Sequence, residues 1–448
     1  MTRAGLAALG IAAALALGAP AARADGAFPD SLQILLPSDK PHEILVGTNF
    51  GLLVSEDDGT SWHWVCEDVI APCARLYSVN APPNDTVYAV TAMGLVVLTQ
   101  NACTQNLAQG VFLGDRVSDA FPDPNDPAHV LAIASSPTDS GPSLFGLFES
   151  RDRGMTFATQ LYQAGSDIIL SGVENARTDP QTIYLTSYGD GSGPDVPTVL
   201  RSTNGGNTFQ PFDQTATLGA TRIALVAVDP SNAQKLFLRV TDPATSIDSL
   251  ALSEDGGMTS TIKQAFPAHY EITAFTQLAS GTILVAGLQP GTSSACGAPD
   301  FTGNAQVAAF MSTDGGHSFT TWPNAPHARA LAERGGVLYA VGNNFTDGFA
   351  VASSTDLGAH WTSLLQFDQI VGPLDCLSAS CASAWGALMM TFGIGDMGGG
   401  MEPQPGGKGC GCALGGAPSA GGLCASLLAL LAMTAALIVV RRRARCAR

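Results

Sequence analysis

The chain has 448 residues, of which 46% are hydrophobic and 13% are charged, so it has enough apolar material for a large folded domain. Its net charge is −17, because 38 Asp and Glu residues outnumber 21 Lys and Arg residues. Such an excess of negative charge repels phosphate groups, and we therefore expect neither nucleic acid nor anionic lipid as a partner of the folded body.

The amino terminus has the features of a secretory signal peptide. Arg3 is followed by the uncharged residues 4–22, and Ala22-Arg23-Ala24 supplies the small residues of a cleavage site. We predict cleavage after Ala24, so that residues 1–24 are a signal peptide and the rest of the chain is exported. An uncleaved anchor is the alternative, but the apolar run is short for a membrane span.

An eight-residue motif recurs along the chain. Its first copy is Ser55-Glu56-Asp57-Asp58-Gly59-Thr60-Ser61-Trp62, which follows the pattern S-x-D-x-G-x-T-W. Five further copies begin at Ser150, Ser202, Ser253, Ser312 and Ser354, and a degenerate seventh copy begins at Thr99. The residues in the Asp position are, in chain order, Asp57, Asn101, Asp152, Asn204, Asp255, Asp314 and Asp356.

The spacing of the copies predicts the architecture. They begin 42 to 59 residues apart, which suits one four-stranded propeller blade each. Between them lie runs rich in β-branched and aromatic residues, such as residues 86–90, and turn sequences such as Asp123-Pro124-Asn125. We therefore predict an all-β fold, a seven-bladed β-propeller over residues 25–370, with the motif in the last hairpin of every four-stranded blade.

The motif resembles the Asp-box, or BNR repeat, of sialidase-like propellers. In that superfamily the boxes are structural hairpins at the periphery of the ring, and the resemblance implies the same role here. The residue types suit such a hairpin, because the Asp can accept backbone hydrogen bonds, the Gly can adopt a positive φ and the closing Trp or Phe can be buried between sheets. Cys103 stands in the Gly position of the degenerate copy, so we expect that hairpin to be the most distorted.

The cysteines predict disulfides. An even number of cysteines in an exported chain favours paired thiols. The short separations favour Cys66 with Cys73 and Cys376 with Cys381, each closing a short loop, which leaves Cys103 and Cys296 as a pair by default.

The sequence contains little that indicates a metal or a cofactor. It has no C-x-x-C pair among these six cysteines, no cluster of His and no H-E-x-x-H motif. Asp190 and Asp195 in the Gly-rich residues 189–195 are candidate calcium ligands, but two carboxylates are too few for a calcium site. A flexible turn is the simpler interpretation, and no cofactor is predicted.

The Asp-box resemblance raises the question of sialidase chemistry, which needs an arginine triad, a Tyr–Glu nucleophile pair and an acid Asp. The F/Y-R-I-P motif that usually introduces the first arginine is missing, and its nearest match, Arg222-Ile223, lacks the proline. Xyloglucanases with the same repeat clasp their substrate between two propellers, whereas this chain has the length for one. Nucleophile-elbow, phosphate-loop and dinucleotide-binding motifs are also missing, so no catalytic residue is predicted.

The carboxyl-terminal part divides into three segments. Residues 371–396 lie beyond the seventh blade, and residues 385–394 are expected to add a strand or a cap to the ring. Residues 397–422 are rich in Gly and Pro and predict a flexible stalk. Residues 423–440 are apolar and are followed by five arginines, so residues 423–448 predict a C-terminal transmembrane helix with a cytoplasmic basic end.

The tail also resembles a known sorting signal. Gly409-Cys410-Gly411-Cys412, the spacer, the apolar span and the basic end are similar, over residues 405–448, to the MYXO-CTERM tail of myxobacteria-like organisms. The resemblance implies that the chain is cut near the cysteines and retained at the cell surface through Cys410 or Cys412. A tail that stays intact as a membrane anchor is the alternative.

Together these features predict an exported, cell-surface propeller that is anchored to the membrane and binds a protein or glycan partner without catalysis. The ligand is expected on a propeller face with long loops, and the longest repeats place such loops at residues 139–146, 189–197 and 289–303. The alternative function is a glycoside hydrolase, sialidase-like or xyloglucanase-like, that acts on extracellular glycans.

Overall fold

The computed structural model describes residues 29–110, 116–136, 143–291 and 305–392. Over these residues the chain forms seven four-stranded antiparallel sheets, in which strands that follow one another in the chain are neighbours, and the sheets are the blades of a seven-bladed propeller, as predicted. Blade 1 consists of β1 (Ser31–Leu35), β2 (Ile44–Thr48), β3 (Gly51–Ser55) and β4 (His63–Cys66), and blade 2 of β5 (Leu76–Val79), β6 (Thr86–Thr91), β7 (Gly94–Thr99) and β8 (Thr104–Leu107). Blade 3 consists of β10 (Arg116–Pro122), β11 (Val130–Ser136), β12 (Leu144–Ser150) and β14 (Thr159–Gln163). Blade 4 consists of β15 (Ile168–Ala176), β16 (Asp179–Gly189), β17 (Thr198–Ser202) and β18 (Gln210–Asp213). Blades 5 to 7 consist of β19 (Arg222–Val228), β20 (Leu236–Asp242), β21 (Ile247–Ser253) and β22 (Thr261–Ala265); β23 (Glu271–Gln277), β24 (Ile283–Leu288), β25 (Val307–Ser312) and β26 (Thr320–Thr321); and β27 (Ala330–Arg334), β28 (Val337–Val341), β29 (Val351–Ser354) and β30 (Thr362–Leu365).

The hydrophobic core lies between neighbouring blades. The second strands β6 and β24 are buried along their whole length, because both faces of each sheet are covered by the adjacent sheets. Their sequences are therefore nearly continuous runs of apolar residues rather than an alternation of apolar and polar ones. The fourth strands, such as β8, are polar and partly exposed at the rim of the ring. One core cluster contains Tyr88 of blade 2 and Phe157 of blade 3 together.

The first strands of most neighbouring blades contact one another around the ring axis, as β15 and β19 do. In five of them the pairing register shifts near the third residue, as it does between Val117 and Asp119 of β10 and between Leu170 and Gly172 of β15. Such a β-bulge bends a strand and increases its twist. Next to these bulges, the backbone N–H of Val173 donates a hydrogen bond of 3.0 Å to Asp119 Oδ2 of the preceding blade.

Blade 1 takes its four strands from residues 31–66, so within the described ranges no strand from a later part of the chain supplies one of them. Instead the short strand β31 (Gly372–Pro373) pairs in parallel with His63 and Trp64 of β4. Another parallel pair, β9 (Gln109–Gly110) with β13 (Thr156–Phe157), joins blade 2 to the hairpin of blade 3. Beyond β31 the chain folds over blade 1 as a helix, Ser378–Thr391.

Residues 385–394 were expected to add either a strand or a cap to the ring, and the C-terminal helix decides between these two alternatives. Residues 385–392 form no added strand, but they do cap the ring: the ring centroids of Trp385 and Trp64 lie 5.7 Å apart, and Phe392 packs 5.5 Å from Phe50. Alternating strand residues could not present both aromatic side chains to blade 1, whereas a helix can. The remaining helices of the described residues are Glu67–Ile70 and Thr215–Leu218, with 3₁₀ turns at Phe367–Gln369 and Asp375–Leu377.

The predicted disulfide pairings are wrong. Cys66 pairs with Cys381, and Cys103 pairs with Cys376. Cys376 and Cys381 are five residues apart on a helical segment, which places them on different sides of it, roughly 140° apart for an ideal helix. One therefore faces blade 2 and the other blade 1. Cys73 is also disulfide-bonded, and Cys296 lies outside the described residues.

Several sequence predictions concern segments outside the described residues. These are the signal peptide 1–24, the stalk 397–422, Cys410 and Cys412, and the apolar residues 423–440. Among the described residues, no helix combines the length and the apolar character that a membrane crossing requires. The signal peptide and the tail therefore stay predictions.

Candidate functional site

The seven hairpins that carry the motif are here called the motif hairpins. Six of them have the same hydrogen-bond pattern. In the first, Ser55 Oγ donates to Asp57 Oδ1 at 2.9 Å, and the backbone N–H of Ser61 donates to the same oxygen at 2.9 Å. The Ser61 hydroxyl donates to Asp57 Oδ2, and the N–H of Gly59 donates to Ser55 Oγ. The copies centred on Asp152, Asn204, Asp255, Asp314 and Asp356 repeat the serine bond, the N–H bond and the glycine bond.

These aspartates are occupied by their own turns. Hydrogen bonds from the side chain and backbone of Ser61 hold the pKa of Asp57 below its ordinary value, and those from Ser318 do the same for the pKa of Asp314. Each carboxylate is therefore ionised at neutral pH, and its oxygens accept hydrogen bonds from its own hairpin. The geometry agrees with a structural role for the motif rather than a catalytic one.

The glycine of the motif hairpin is needed for packing as well as for its positive φ. Gly154 has φ 75°, and a Cβ at this position would lie 2.7 Å from a ring carbon of Tyr88 in the preceding blade. Any side chain there would separate two blades. Of the closing aromatics, Trp62 and Phe157 are almost fully buried, as predicted, whereas Phe209, Phe319 and Trp361 are only partly buried.

The degenerate hairpin departs from the pattern. Gln100, Asn101 and Ala102 all have positive φ, so this hairpin is distorted, as expected. Asn101 does not replace the motif aspartate, because its Oδ1 accepts a bond from Lys40 of blade 1 at 3.2 Å. Cys103 forms the disulfide with Cys376, which accounts for a cysteine where the other copies have glycine.

The two faces of the ring differ in what they carry. In each meander, the connection between strands 3 and 4 and the connection between strands 1 and 2 lie at one end of the blade, here called the hairpin face. The connections between strands 2 and 3 and between blades lie at the other end, here called the cavity face. The motif hairpins are all on the hairpin face, which leaves the loops of the cavity face as the candidates for ligand contacts.

A cavity of about 990 Å³ opens on the cavity face where blades 3, 4 and 5 meet. Its volume is at the upper end of the range of small-molecule sites. Two of the three loops expected to carry ligand contacts contribute to it, through Phe145 and Asp190. The third, 289–303, lies mostly outside the described residues.

Three arginines line this cavity: Arg116 at the start of β10, Arg222 at the start of β19 and Arg239 in β20. Arg222 was the imperfect match to an arginine motif in the sequence, whereas the other two had no distinguishing signal. Arg116 and Arg222 lie at the cavity-face ends of first strands, which can be read from the repeat once the strands are aligned, whereas Arg239 is the central residue of the second strand β20.

Two of the arginines are anchored by carboxylates. Arg222 Nε lies 3.0 Å from Oδ2 of the buried Asp195, and Arg239 Nε lies 2.6 Å from Oδ2 of the buried Asp248. Glu271 is farther, 3.7 Å from Arg239 Nη2. Within the described part of the chain, the Nη groups of Arg222 and Arg239 have no hydrogen-bond acceptor.

Arg116 forms no ion pair with any described carboxylate, and its side chain is exposed. Burial, together with the positive charge of Arg116, lowers the pKa of Arg75 at the same end of blade 2. The region around Arg116 is therefore locally positive, although the whole chain carries a net charge of −17.

The rest of the lining is suited to neutral contacts. Hydroxyl groups of Ser118, Ser135, Ser143 and Ser166 are among the lining groups, and Phe145 and Tyr188 supply aromatic rings. The Arg222 guanidinium lies 5.6 Å from the centroid of the Tyr188 ring. Hydroxyls, aromatic rings and guanidinium groups are typical of sites that bind polar organic ligands.

Two carboxylic acids near the ring axis were not anticipated from the sequence. Desolvation raises the pKa of Asp119 to about 6 and that of Glu174 to about 8, and the charge of Asp119 raises the latter further. Both are tied to the next blade, because Glu174 Oε2 accepts the N–H of Val228 at 3.0 Å, as Asp119 accepts that of Val173. Neither lines the cavity.

The two candidate calcium ligands, Asp190 and Asp195, bond to protein groups. Asp195 is paired with Arg222, and Asp190 Oδ1 accepts the N–H of Ser192 at 2.8 Å in its own loop. In the described ranges, no group of three or more His, Cys, Asp or Glu side chains is arranged to hold a metal ion. The two aspartates therefore shape the cavity wall and its loop.

The arrangement resembles a sialidase centre only in part. Three arginines do line one cavity, but Tyr188 contacts Arg222, not a glutamate. A Tyr–Glu nucleophile pair is not formed by this tyrosine. The described lining of the cavity includes no glutamate beside Tyr188.

The chain matches no family model and no curated protein sequence. Among solved structures, it is similar to the GH74 xyloglucanase from Xanthomonas campestris, with 15% identity and a TM-score of 0.40 over 74% of this chain and 57% of that one. It is also similar to YCF48 from Cyanidioschyzon merolae, with 14% identity and a TM-score of 0.40 over 59% and 94% of the two chains. For a prolyl endopeptidase the identity is 10% and the TM-score 0.48, over 75% and 50%.

The chain thus spans a little over half the length of the xyloglucanase. At these identities the similarity concerns the fold alone.

Proposed function

We propose that this protein is an exported propeller that binds a glycan or protein ligand, without catalysis, in the cavity between blades 3, 4 and 5. The observation that carries the proposal is the cavity itself, which combines three guanidinium groups with hydroxyls and aromatic rings. Two of these guanidinium groups are paired with buried carboxylates at Nε, and the third, that of Arg116, is exposed. In repeat folds, the repeated elements usually form a rigid scaffold, and the loops on one face contact the ligand. The proposal agrees with this pattern.

We further propose that the motif hairpins are Asp-boxes. Support comes from the hydrogen bonds of the six regular copies, in which serine, aspartate or asparagine, and glycine have the same partners each time. Their role is to hold the fourth strand of a blade and to pack against the preceding blade. They have no part in ligand binding in this proposal.

Export and surface retention form part of the same proposal. Disulfides between distant parts of the chain, Cys66–Cys381 and Cys103–Cys376, persist in an oxidising compartment. The sorting-tail hypothesis, with Cys410 or Cys412 as the modified residue, would place the propeller outside the cell and tether it to the membrane. Mass spectrometry of the mature protein tests this, because an intact peptide through Arg448 would contradict cleavage.

A glycoside hydrolase is the second candidate. The pair Asp119 and Glu174 favours it, because both have raised pKa values. Glycoside hydrolases use two carboxyl groups, one of which stays protonated near neutral pH and acts as the general acid. Against it, both carboxyls accept a backbone N–H of the next blade and neither lines the cavity. We therefore prefer binding.

The experiment is a comparison of the purified protein with the variant Ser143→Trp on a glycan array and in a pull-down of surface proteins. Ser143 lines the cavity and is exposed, so an indole there would obstruct the cavity. Ser363→Trp, on the outer strand of blade 7, is the matched control. Binding that Ser143→Trp abolishes and Ser363→Trp retains supports the proposal, and binding that survives both contradicts it.

Hydrolysis is tested in parallel with fluorogenic glycosides. Release of the fluorophore by the wild-type protein, lost in both Asp119→Asn and Glu174→Gln while the folded state is retained, would replace the binding proposal with the hydrolase.

A further inference from the structure

The two disulfides that hold the C-terminal segment differ in their exposure to solvent. Cys66 and Cys381 are fully buried, whereas Cys376 is exposed and Cys103 is half-buried. We propose that Cys103–Cys376 is a thiol-exchange site, at which the thiolate of an external thiol attacks the sulfur of Cys376. This chemistry is independent of ligand binding in the cavity.

Access decides which disulfide an external thiol reaches, because the attacking sulfur has to approach one of the two bonded sulfurs directly. The sulfur of Cys381 lies in the interior, where it accepts the backbone N–H of Cys66 at 3.4 Å. Cys376 lies in the 3₁₀ turn at the start of the C-terminal segment, on the surface. We therefore expect an external thiol to react at Cys376 first.

The hairpin that carries Cys103 has a strained backbone. Gln100, Asn101 and Ala102 have φ values of 53°, 55° and 64°, whereas each regular motif hairpin has only two consecutive residues of positive φ, of which the second is glycine. The Asn101 side chain bonds to Lys40 of blade 1 and not to its own turn. The disulfide therefore helps to hold a strained turn, and a strained, exposed disulfide is reduced more readily than a relaxed, buried one.

The exchange takes place in two steps. The external thiolate forms a bond to Cys376 Sγ while the bond to Cys103 Sγ breaks, so that Cys103 leaves as a thiolate and takes up a proton. A second thiol then attacks the external sulfur of this mixed disulfide and releases Cys376 as a thiol. The two external thiols lose two electrons and become a disulfide, and the two cysteines gain those electrons and two protons.

The buried disulfide makes the exchange reversible. Cys381 is five residues from Cys376, and its bond to Cys66 keeps the segment on blade 1 when Cys376 is released. Cys103 and Cys376 then stay close together, so their effective concentration is high and their bond can form again. The site thus responds to external thiols without unfolding of the propeller.

The experiment exposes the purified, folded protein to increasing concentrations of glutathione for a fixed time, followed by alkylation and peptide mass spectrometry. We expect half-reduction of Cys103–Cys376 at a concentration about tenfold lower than that of Cys66–Cys381, with a glutathione adduct on Cys376. Circular dichroism should show an unchanged fold at that concentration. Equal concentrations for the two disulfides, or reaction at Cys73, which is also disulfide-bonded, before Cys376, would overturn the proposal.

A glycine substitution tests the contribution of strain. Ala102→Gly allows the φ of 64° without cost, and we expect it to raise the glutathione concentration that half-reduces Cys103–Cys376 by about threefold. Leu357→Gly, at a φ of 59° in the hairpin of blade 7, is the matched control and should leave this concentration unchanged. Equal values for Ala102→Gly and the wild type would overturn strain as a cause.

The external thiol can belong to a small molecule or to a protein, and two dithiols distinguish these sources. The rates at which dithiothreitol and reduced thioredoxin cleave Cys103–Cys376 are compared at equal concentration. A faster reaction with thioredoxin would assign a protein thiol, and a faster reaction with dithiothreitol would assign a small one. Failure of both to cleave this bond before Cys66–Cys381 would overturn the site and leave the binding function standing.

Discussion

Cys66, the last residue of the outer strand of blade 1, is bonded to Cys381 in the C-terminal helix, 315 residues later, with Cα atoms 5.7 Å apart. From the same segment Cys376 is bonded to Cys103 in the hairpin of blade 2. Blades 1 and 2 are thus held by one clamp. Since no strand of the last blade is exchanged with the first, this clamp and the contacts between blades 7 and 1 close the ring.

Removal of the clamp should destabilise the whole ring. Cys66→Ala/Cys381→Ala leaves the second disulfide in place, and we expect it to lower the free energy of unfolding by about 3–4 kcal/mol. The cause is the restored conformational freedom of the unfolded chain, together with a looser helix over Trp64. Urea unfolding followed by circular dichroism measures the change.

The matched control is Cys103→Ala/Cys376→Ala, which should cost a similar amount because the two bonds hold the same segment. When both pairs are removed, we expect the C-terminal helix to become susceptible to proteolysis before the blades unfold. An unchanged protease pattern in the quadruple variant would show that the helix stays in place without the disulfides.

The motif hairpins should contribute individually to stability. Asp152→Ala removes the acceptor for Ser150, for the N–H of Thr156 and for its hydroxyl. We expect a loss of about 1–2 kcal/mol in the free energy of unfolding, because the turn N–H loses its partner. Asp152→Asn should cost less, since Asn204 already makes the equivalent bonds in blade 4.

Asn101→Gly provides the comparison for this prediction, because glycine tolerates the φ of 55° at this position. The Asn101 side chain bonds to Lys40 and Glu56 of blade 1 instead of its own hairpin, so we expect a change below about 0.5 kcal/mol. If Asn101→Gly and Asp152→Ala cost the same, the hairpin hydrogen bonds are not the source of the effect.

Glu174 should make the protein less stable as the pH rises. Its pKa is raised to about 8 in the folded state by desolvation and by the charge of Asp119, from an ordinary value near 4.5. The folded state therefore holds a proton that the unfolded state has lost, and stability falls as the pH rises from about 4.5 to about 8. Each unit of pKa elevation corresponds to about 1.4 kcal/mol, so the trend is measurable.

Glu174→Gln tests this, because the amide stays neutral at every pH and can still accept the N–H of Val228. Its stability relative to the wild type should be greater at pH 8 than at pH 5. Asp368→Asn, at an exposed position after blade 7 where the carboxylate forms no ion pair with a described residue, controls for the loss of one negative charge. A constant difference between Glu174→Gln and the wild type across this range would contradict the raised pKa of the Glu174 carboxyl.

The repeat made the blades predictable, because each motif hairpin is specified by residues within eight positions of one another. Ser55, Asp57 and Gly59 make their bonds locally, so their spacing reports the structure directly. The strand runs are predictable for the same reason, since burial between blades demands continuous apolar sequence. The number of blades follows from counting the copies, including the degenerate one.

Contacts between distant segments were not predictable in this way. The pairing of Cys66 with Cys381 depends on where the C-terminal segment returns, and a rule based on short separations chose the wrong partners. Arg116 and Arg239 each appear as an ordinary polar residue in a strand. Only the assembled ring brings them to one cavity with Arg222.

The contact between blades 7 and 1 gives the last prediction. Trp62 Nε1 donates hydrogen bonds to Gly59 O at 3.0 Å and to Leu364 O at 3.1 Å, and its indole is almost fully buried. Trp62→Phe removes both bonds and part of the buried ring at the point where the ring closes. We expect it to lower the free energy of unfolding by about 2–3 kcal/mol, measured by urea unfolding.

Trp361→Phe, at the equivalent position of blade 7, is the matched variant, because its Nε1 makes a single, longer bond of 3.3 Å to Asn324 O and its indole is only partly buried. It should cost about 1 kcal/mol. Trp62→Phe should also expose Leu364 and speed hydrogen exchange in β4 and β30, the strands on either side of the closure. Equal costs for the two variants, with no change in exchange at these strands, would mean that the closure depends on the disulfide clamp and not on this bond.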